Sequence, residues 1–163
     1  MITRDELENC EYKIVYENHS VTQYVKRLWN TNIGVWPRGN KITRFEIGRS
    51  TEWATLKRQY TIAQLQRLEE LLNCTNRSGV QITQDDVEKL GFSLIYHTAE
   101  KQDYRKVIIP RSISIFILFN SRDTIADVYL SFPSTERSLL AGGTHYYTVS
   151  MLKELIALLS KGE

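Results

Sequence analysis

Residues 21–60 hold eight basic side chains, Lys26, Arg27, Arg38, Lys41, Arg44, Arg49, Lys57 and Arg58, opposed only by Glu46 and Glu52. All three tryptophans, Trp29, Trp36 and Trp53, fall in the same window. Cations attract phosphates and carboxylates, and aromatic faces stack on bases. Within the window, Trp36-Pro37-Arg38-Gly39-Asn40-Lys41 sets an aromatic ring and two cations around a turn, because Pro presets φ while Gly and Asn accept positive φ. The candidate binding residues are therefore Trp36, Arg38, Lys41, Arg44, Arg49, Lys57 and Arg58. Trp29 and Trp53 fit either a core or a surface position, and basic residues on outward strand positions also serve as ordinary soluble surface.

Other chemistry has little support. The histidines, His19, His97 and His145, form no H-x-x-x-H or H-E-x-x-H pair, and neither Cys10 nor Cys74 belongs to a C-x-x-C, so no metal site is expected. The sequence contains no G-x-x-x-x-G-K-S/T, G-x-G-x-x-G or G-x-S-x-G. Gly142-Gly143-Thr144 before His145 reads as a helix-entry loop rather than an anion cradle. Asp85 and Asp86 suit the positive end of a helix dipole, and Glu69 and Glu70 a solvated helical face. The expectation is a protein without catalytic residues, cofactor or metal.

The elements that carry these residues are organised by a duplication. Tyr60-Thr61-Ile62-Ala63-Gln64-Leu65-Gln66-Arg67-Leu68-Glu69-Glu70-Leu71-Leu72 returns as Tyr147-Thr148-Val149-Ser150-Met151-Leu152-Lys153-Glu154-Leu155-Ile156-Ala157-Leu158-Leu159, with Tyr, Thr and four Leu in frame. Upstream, residues 3–16 align without gaps on residues 83–96. Thr3 with Glu6 and Thr61 with Gln64 form capping boxes, Thr83-Gln84-Asp85-Asp86 opens a matching short helix that Gly91 ends, and Thr148 caps the last helix. Between the helices, alternation and turn residues predict strands over 11–16, 21–28, 32–36 and 41–47 in the first copy and 92–96, 104–109, 112–119 and 124–132 in the second. Residues 49–59 read as loop plus an edge strand, and 133–143 as a longer loop. Residues 112–119, dense in Ile and Phe, should be the most buried strand. Each copy is thus α-β-β-β-β-α, an antiparallel meander covered by its closing amphipathic helix. The chain divides into a first unit at 1–75, a linker at 76–82 and a second unit at 83–163, in a pseudo-two-fold α+β arrangement.

A unit of about 80 residues buries too little surface to stand comfortably alone, so the halves should pack together. The overall charge of +2 says nothing about partners. Cys10 stands where the second copy has Leu90, which suggests a small buried hydrophobe rather than half of a disulfide. A polar start (Met1-Ile2-Thr3-Arg4) and the lack of any run near the roughly 18 apolar residues of a membrane span predict a soluble, cytoplasmic protein.

The second unit, through Val87-Glu88-Lys89-Leu90-Gly91-Phe92 and its closing Thr-x-x-x-Leu-x-x-Leu-Leu helix, resembles small α+β proteins of tailed bacteriophages and their hosts. The first unit departs from that pattern, with Cys10-Glu11 in place of Leu-Gly. The resemblance implies a phage or mobile-element source, carries no catalytic residue with it, and implies a bacterial or virion-associated location. Together with the basic window it predicts a non-catalytic binding or assembly protein, a particle component or an inhibitor, with a protein partner of acidic character. The alternative is nucleic-acid or nucleotide binding through the same window.

Overall fold

The computed structural model describes residues 2–19, 22–38, 41–49, 52–56, 58–120, 126–133, 137–142 and 145–160, with the side chains of 38 and 41–43 outside the description. The chain opens with a short helix, α1 (Arg4–Asn9), whose capping box is complete: the Thr3 hydroxyl accepts from the Glu6 amide while the Glu6 carboxylate accepts from the Thr3 amide. Five strands follow, β1 (Lys13–Glu17), β2 (Thr22–Arg27), β3 (Asn32–Arg38), β4 (Lys41–Arg49) and β5 (Glu52–Leu56), and then the helix α2 (Ile62–Leu72), boxed by Thr61 and Gln64. The order then repeats: α3 (Gln84–Lys89), β6 (Ser93–His97), β7 (Lys101–Ile109), β8 (Ile113–Asn120), β9 (Asp127–Ser131), β10 (Arg137–Ala141) and α4 (Val149–Leu159). Each set of strands forms one antiparallel sheet in simple meander order, β1-β2-β3-β4-β5 and β10-β9-β8-β7-β6, so the fold is α+β.

Each sheet therefore has five strands, where four were expected. The stretch expected as a loop at 133–143 contains β10, which pairs with β9 through Leu130 opposite Ser138 and Ser131 opposite Arg137. Its alternation is hard to see because Ala141 arrives through a register shift after Leu139. In the first copy, the edge strand within 49–59 is β5. The expected turn at 121–123 and the start of the fourth strand at 124 and 125 lie outside the described residues.

The pleat sends alternate residues into the core. Tyr24, Ile33, Val35, Phe45, Ile47, Ala54 and Leu56 are buried from the first sheet, and Tyr104, Ile113, Ile115, Ile117, Val128, Leu130 and Leu140 from the second. The helices add Leu65, Leu68, Leu71 and Leu72 from α2 and Leu152, Leu155, Leu158 and Leu159 from α4, and all of these belong to one continuous apolar cluster. β8 is buried along nearly its whole length on both faces, as its composition predicted.

The helix-to-strand junctions show how closely the copies agree. Gly91 follows α3 with φ of +85°, a conformation that costs glycine nothing, and Glu11 takes φ of +67° at the same point after α1. Both first strands then carry a register shift at the same place, between Ile14 and Tyr16 in β1 and between Leu94 and Tyr96 in β6. Cys10 is half-buried and accepts from the Gln66 amide, Cys74 is buried, and both thiols are free.

Candidate functional site

Among the described residues, Trp36, Arg44, Arg49 and Arg58 of the basic window do not converge on one patch. Gly34 pairs with Glu46 and Trp36 with Arg44 across β3 and β4, which places Trp36, Arg44 and Glu46 together on the outer face of the sheet. There the Trp36 indole N–H donates to Glu46 Oε2 at 2.8 Å, and the Arg44 guanidinium lies 4.6 Å from the Trp36 ring with its Nε 3.3 Å from Glu46 Oε1. The ring and the cation therefore engage each other. Arg49 sits at the far end of β4, where it donates to the Arg137 carbonyl at 3.3 Å.

Arg58 is elsewhere again. It donates to the Ala157 carbonyl at 2.9 Å, in the last turn of α4, where the helix dipole favours a cation. Its guanidinium lies 5.2 Å from the Tyr60 ring and its Nε is buried without a hydrogen-bond partner. Arg58 thus ties the two copies together. The side chains of Arg38 and Lys41, and all of Lys57, lie outside the described residues.

A second group of residues does converge; the sequence marked Arg49 as a candidate binding residue and Arg27, Trp29 and Trp53 as members of the same window, but not the valines beside them. Gly34 and Gly48 leave bare backbone on the outer face of the first sheet, and the Trp53 indole lies across it: a Cβ on Gly48 would stand 2.7 Å from Trp53 Cδ2, and one on Gly34 3.2 Å from Trp53 Cζ3. Beside it, Trp29 projects from the turn between β2 and β3, 73% exposed. Val15, Val25, Trp29 and Trp53 with Arg27 and Arg49 line a cleft of about 530 Å³ in which the two arginines are the only charged residues among the described ones.

This cleft adjoins a free sheet edge. β1 is the outermost strand of its sheet and all five of its residues are exposed, including Ile14, Val15 and Tyr16. A groove of about 710 Å³ runs along it, lined in part by Tyr12, Lys13, Ile14, Val15 and Val25. Such an edge presents unpaired backbone groups ready to receive another strand. The register shift between Ile14 and Tyr16 breaks the strict in-and-out alternation at Val15.

The floor of the groove is held by a buried polar set. Glu69, on the α2 face expected to be solvated, is buried; it accepts from the Tyr12 hydroxyl and from Lys26 Nζ, both at 2.7 Å. Burial, reinforced by the Glu69 charge, pushes the Tyr12 phenol far above its usual range, so it stays a donor.

No protein-family model, no curated protein and no solved structure matches the chain. Among the described residues, no helix is long and apolar enough to cross a membrane.

Proposed function

We propose that the chain is a non-catalytic protein-binding and assembly module in which an extended segment of a partner adds as a sixth strand to β1. The observation that carries this is the wholly exposed edge strand with its Ile14-Val15-Tyr16 run, set beside the Trp29–Trp53 cleft. Main-chain pairing along such an edge supplies affinity, and pockets beside it read alternate side chains of the incoming strand. Arg27 and Arg49, the charged residues among the described lining, favour a segment carrying Asp or Glu. Nucleic-acid binding ranks second, because Trp36 and Arg44 are engaged with Glu46 and Arg58 with α4.

We also infer that the two units meet about an approximate two-fold axis, each sheet covered by its own closing helix. The support is reciprocity. The Tyr60 hydroxyl donates to the Leu158 carbonyl and the Tyr147 hydroxyl to the Leu71 carbonyl, and each residue in one bond is the repeat counterpart of a residue in the other. Arg67 and Glu154 are counterparts of one another, and they form a two-pronged ion pair with both N–O distances at 2.9 Å. A residue that touches its own counterpart lies beside the axis. In a symmetric dimer of identical units that contact would join two like charges. Duplication within one chain lets it become a salt bridge.

The test is capture from a bacterial lysate on immobilised protein, with and without nuclease, using the wild type and Trp29→Ala. The expected result is a retained protein that survives nuclease and is reduced by Trp29→Ala at an unchanged thermal midpoint. Retention that disappears with nuclease would move the function to nucleic acid.

A further inference from the structure

The outer face of the second sheet has a cleft at the same register as the Trp53 cleft of the first, and its lining is different in kind. Gly34 pairs with Val25 and Glu46, and Phe116 correspondingly with Arg105 and Tyr129. Gly48 pairs with Asn32 and Trp53, and Ser131 with Ser114 and Arg137. Where the first copy has Val25 and Trp53, the second therefore has Arg105 and Arg137. The turn between β7 and β8 adds Arg111, as the turn between β2 and β3 adds Trp29.

The result is a cavity of about 450 Å³ lined by Arg105, Arg111 and Arg137, by Ser112, Ser114 and Ser131, and by the apolar Phe116, Phe132 and Pro133. Guanidinium groups keep their charge at any working pH, so three of them around one cavity repel unless counter-charge is supplied. One is compensated: Arg137 lies 3.3 Å from Asp103 Oδ2 and 3.7 Å from the Phe116 ring centre, which fixes it across the cleft. Arg105 and Arg111 have no acidic partner among the described residues. Arg105 Nε instead donates to Ser114 Oγ at 3.3 Å, which leaves the serine's own proton free to be donated. Arg111 is held with φ of +61°, a conformation that a side chain bearing Cβ rarely adopts, at the turn that brings it to the cavity.

We propose that this cleft is an oxyanion site whose ligand is a small phosphate monoester. Guanidinium forks match the oxygen spacing of a phosphate and bond it bidentately, and hydroxyl donors satisfy its remaining oxygens. A phosphate dianion balances the two arginines that have no acidic partner among the described residues, whereas one carboxylate balances only half of that charge. Phe132 and Pro133 provide an apolar wall for the organic part of the ester. The site stands apart from β1 and does not depend on the partner-binding role proposed above.

The experiment is isothermal titration at fixed ionic strength with glycerol phosphate, inorganic phosphate and acetate, on wild type, Arg105→Gln, Arg111→Gln and, in the other cleft, Arg27→Gln. The expected result is one saturable phosphate site per chain, with glycerol phosphate at least as tight as inorganic phosphate and acetate at least about tenfold weaker. Each second-cleft variant should weaken phosphate by about tenfold or more, the scale of a lost hydrogen bond to a charged group. Arg27→Gln should leave it unchanged. Equal responses to phosphate and acetate would mean general screening of positive charge and overturn the proposal. So would unaltered phosphate binding in both Arg105→Gln and Arg111→Gln, the thermal midpoint of each variant confirming that it is folded.

Discussion

On the outer face of the first sheet the floor between β3 and β4 is bare backbone, Gly34 beside Gly48, and Trp53 lies over it; on the second sheet the same places hold Phe116 and Ser131, with Arg137 over the ring. The buried sides, by contrast, keep the same places filled, mostly by apolar side chains. Tyr24 donates to Glu8 and Tyr104 to Glu88, Ile33 and Val35 answer to Ile115 and Ile117, and each closing helix buries its leucines in the same frame. The difference teaches where a duplicated fold is free to change. Core positions are constrained from every side by close packing, while outer positions only have to stay soluble, so new chemistry collects there. Some differences run inward: Ala54 is answered by the fully buried Ser138, and Tyr12, Glu69 and the part-buried Lys26 form a polar set in the first copy, where the second has Phe92, Ile156 and Lys106.

Truncating the tyrosines that cross between units tests the equivalence most severely. Tyr147→Ala and Tyr60→Ala should each destabilise by about 4 kcal/mol in urea unfolding, the range for removing a large buried aromatic ring. Closely similar losses would support reciprocal contacts; a large effect at one site and a negligible one at the other would break the comparison. The inward polar set comes next. Glu69→Ala strands the Tyr12 hydroxyl and the Lys26 ammonium and should cost about 2 kcal/mol, less than a fully buried pair because Lys26 is partly solvated. Converting the set to its second-copy form, with Tyr12→Phe and Glu69→Ile together, should recover most of that loss.

Smaller effects sharpen the picture at the proposed axis. Arg67→Glu should cost about 1 kcal/mol, and the exchange Arg67→Glu with Glu154→Arg should restore it, as expected for a half-exposed ion pair. Hydrogen bonding to Arg67 holds the Glu154 carboxyl below its ordinary value. Its contribution is therefore complete above that ordinary value and is lost as pH falls through the lower folded one. Glu154→Gln should flatten this acid-side slope in the pH dependence of the thermal midpoint. Smallest of all, Glu11→Gly should stabilise by about 0.5 kcal/mol by relieving a positive φ that Gly91 already accommodates.

Much of the architecture was legible in the sequence because its signals are local. Thr3, Thr61, Thr83 and Thr148 mark the helix starts, and all four hydroxyls accept the amide they are placed to cap. The fifth strand of the second sheet escaped because Arg137-Ser138-Leu139-Leu140-Ala141 is short and its register shift spoils the alternation. The candidate site was less legible. The tryptophan cluster pointed to the first sheet, but Trp36 meets Glu46 and Arg44 only once strand register is fixed, and Arg58 meets α4 only once the two copies pack. The arginine cleft was hidden for the same reason: Arg105, Arg111 and Arg137 are scattered in sequence and are joined by pairing across β7, β8, β9 and β10.

The most direct test of the central claim is a pair of edge variants, Val15→Lys in β1 and Ile95→Lys in β6, compared for partner capture. Both residues sit exposed at the same register shift, so the two substitutions carry the same general cost. A lysine there obstructs an added strand. The account predicts that Val15→Lys abolishes capture while Ile95→Lys leaves it intact, because only β1 lies beside the tryptophan cleft. Capture that survives Val15→Lys, or falls equally in both variants, would contradict it.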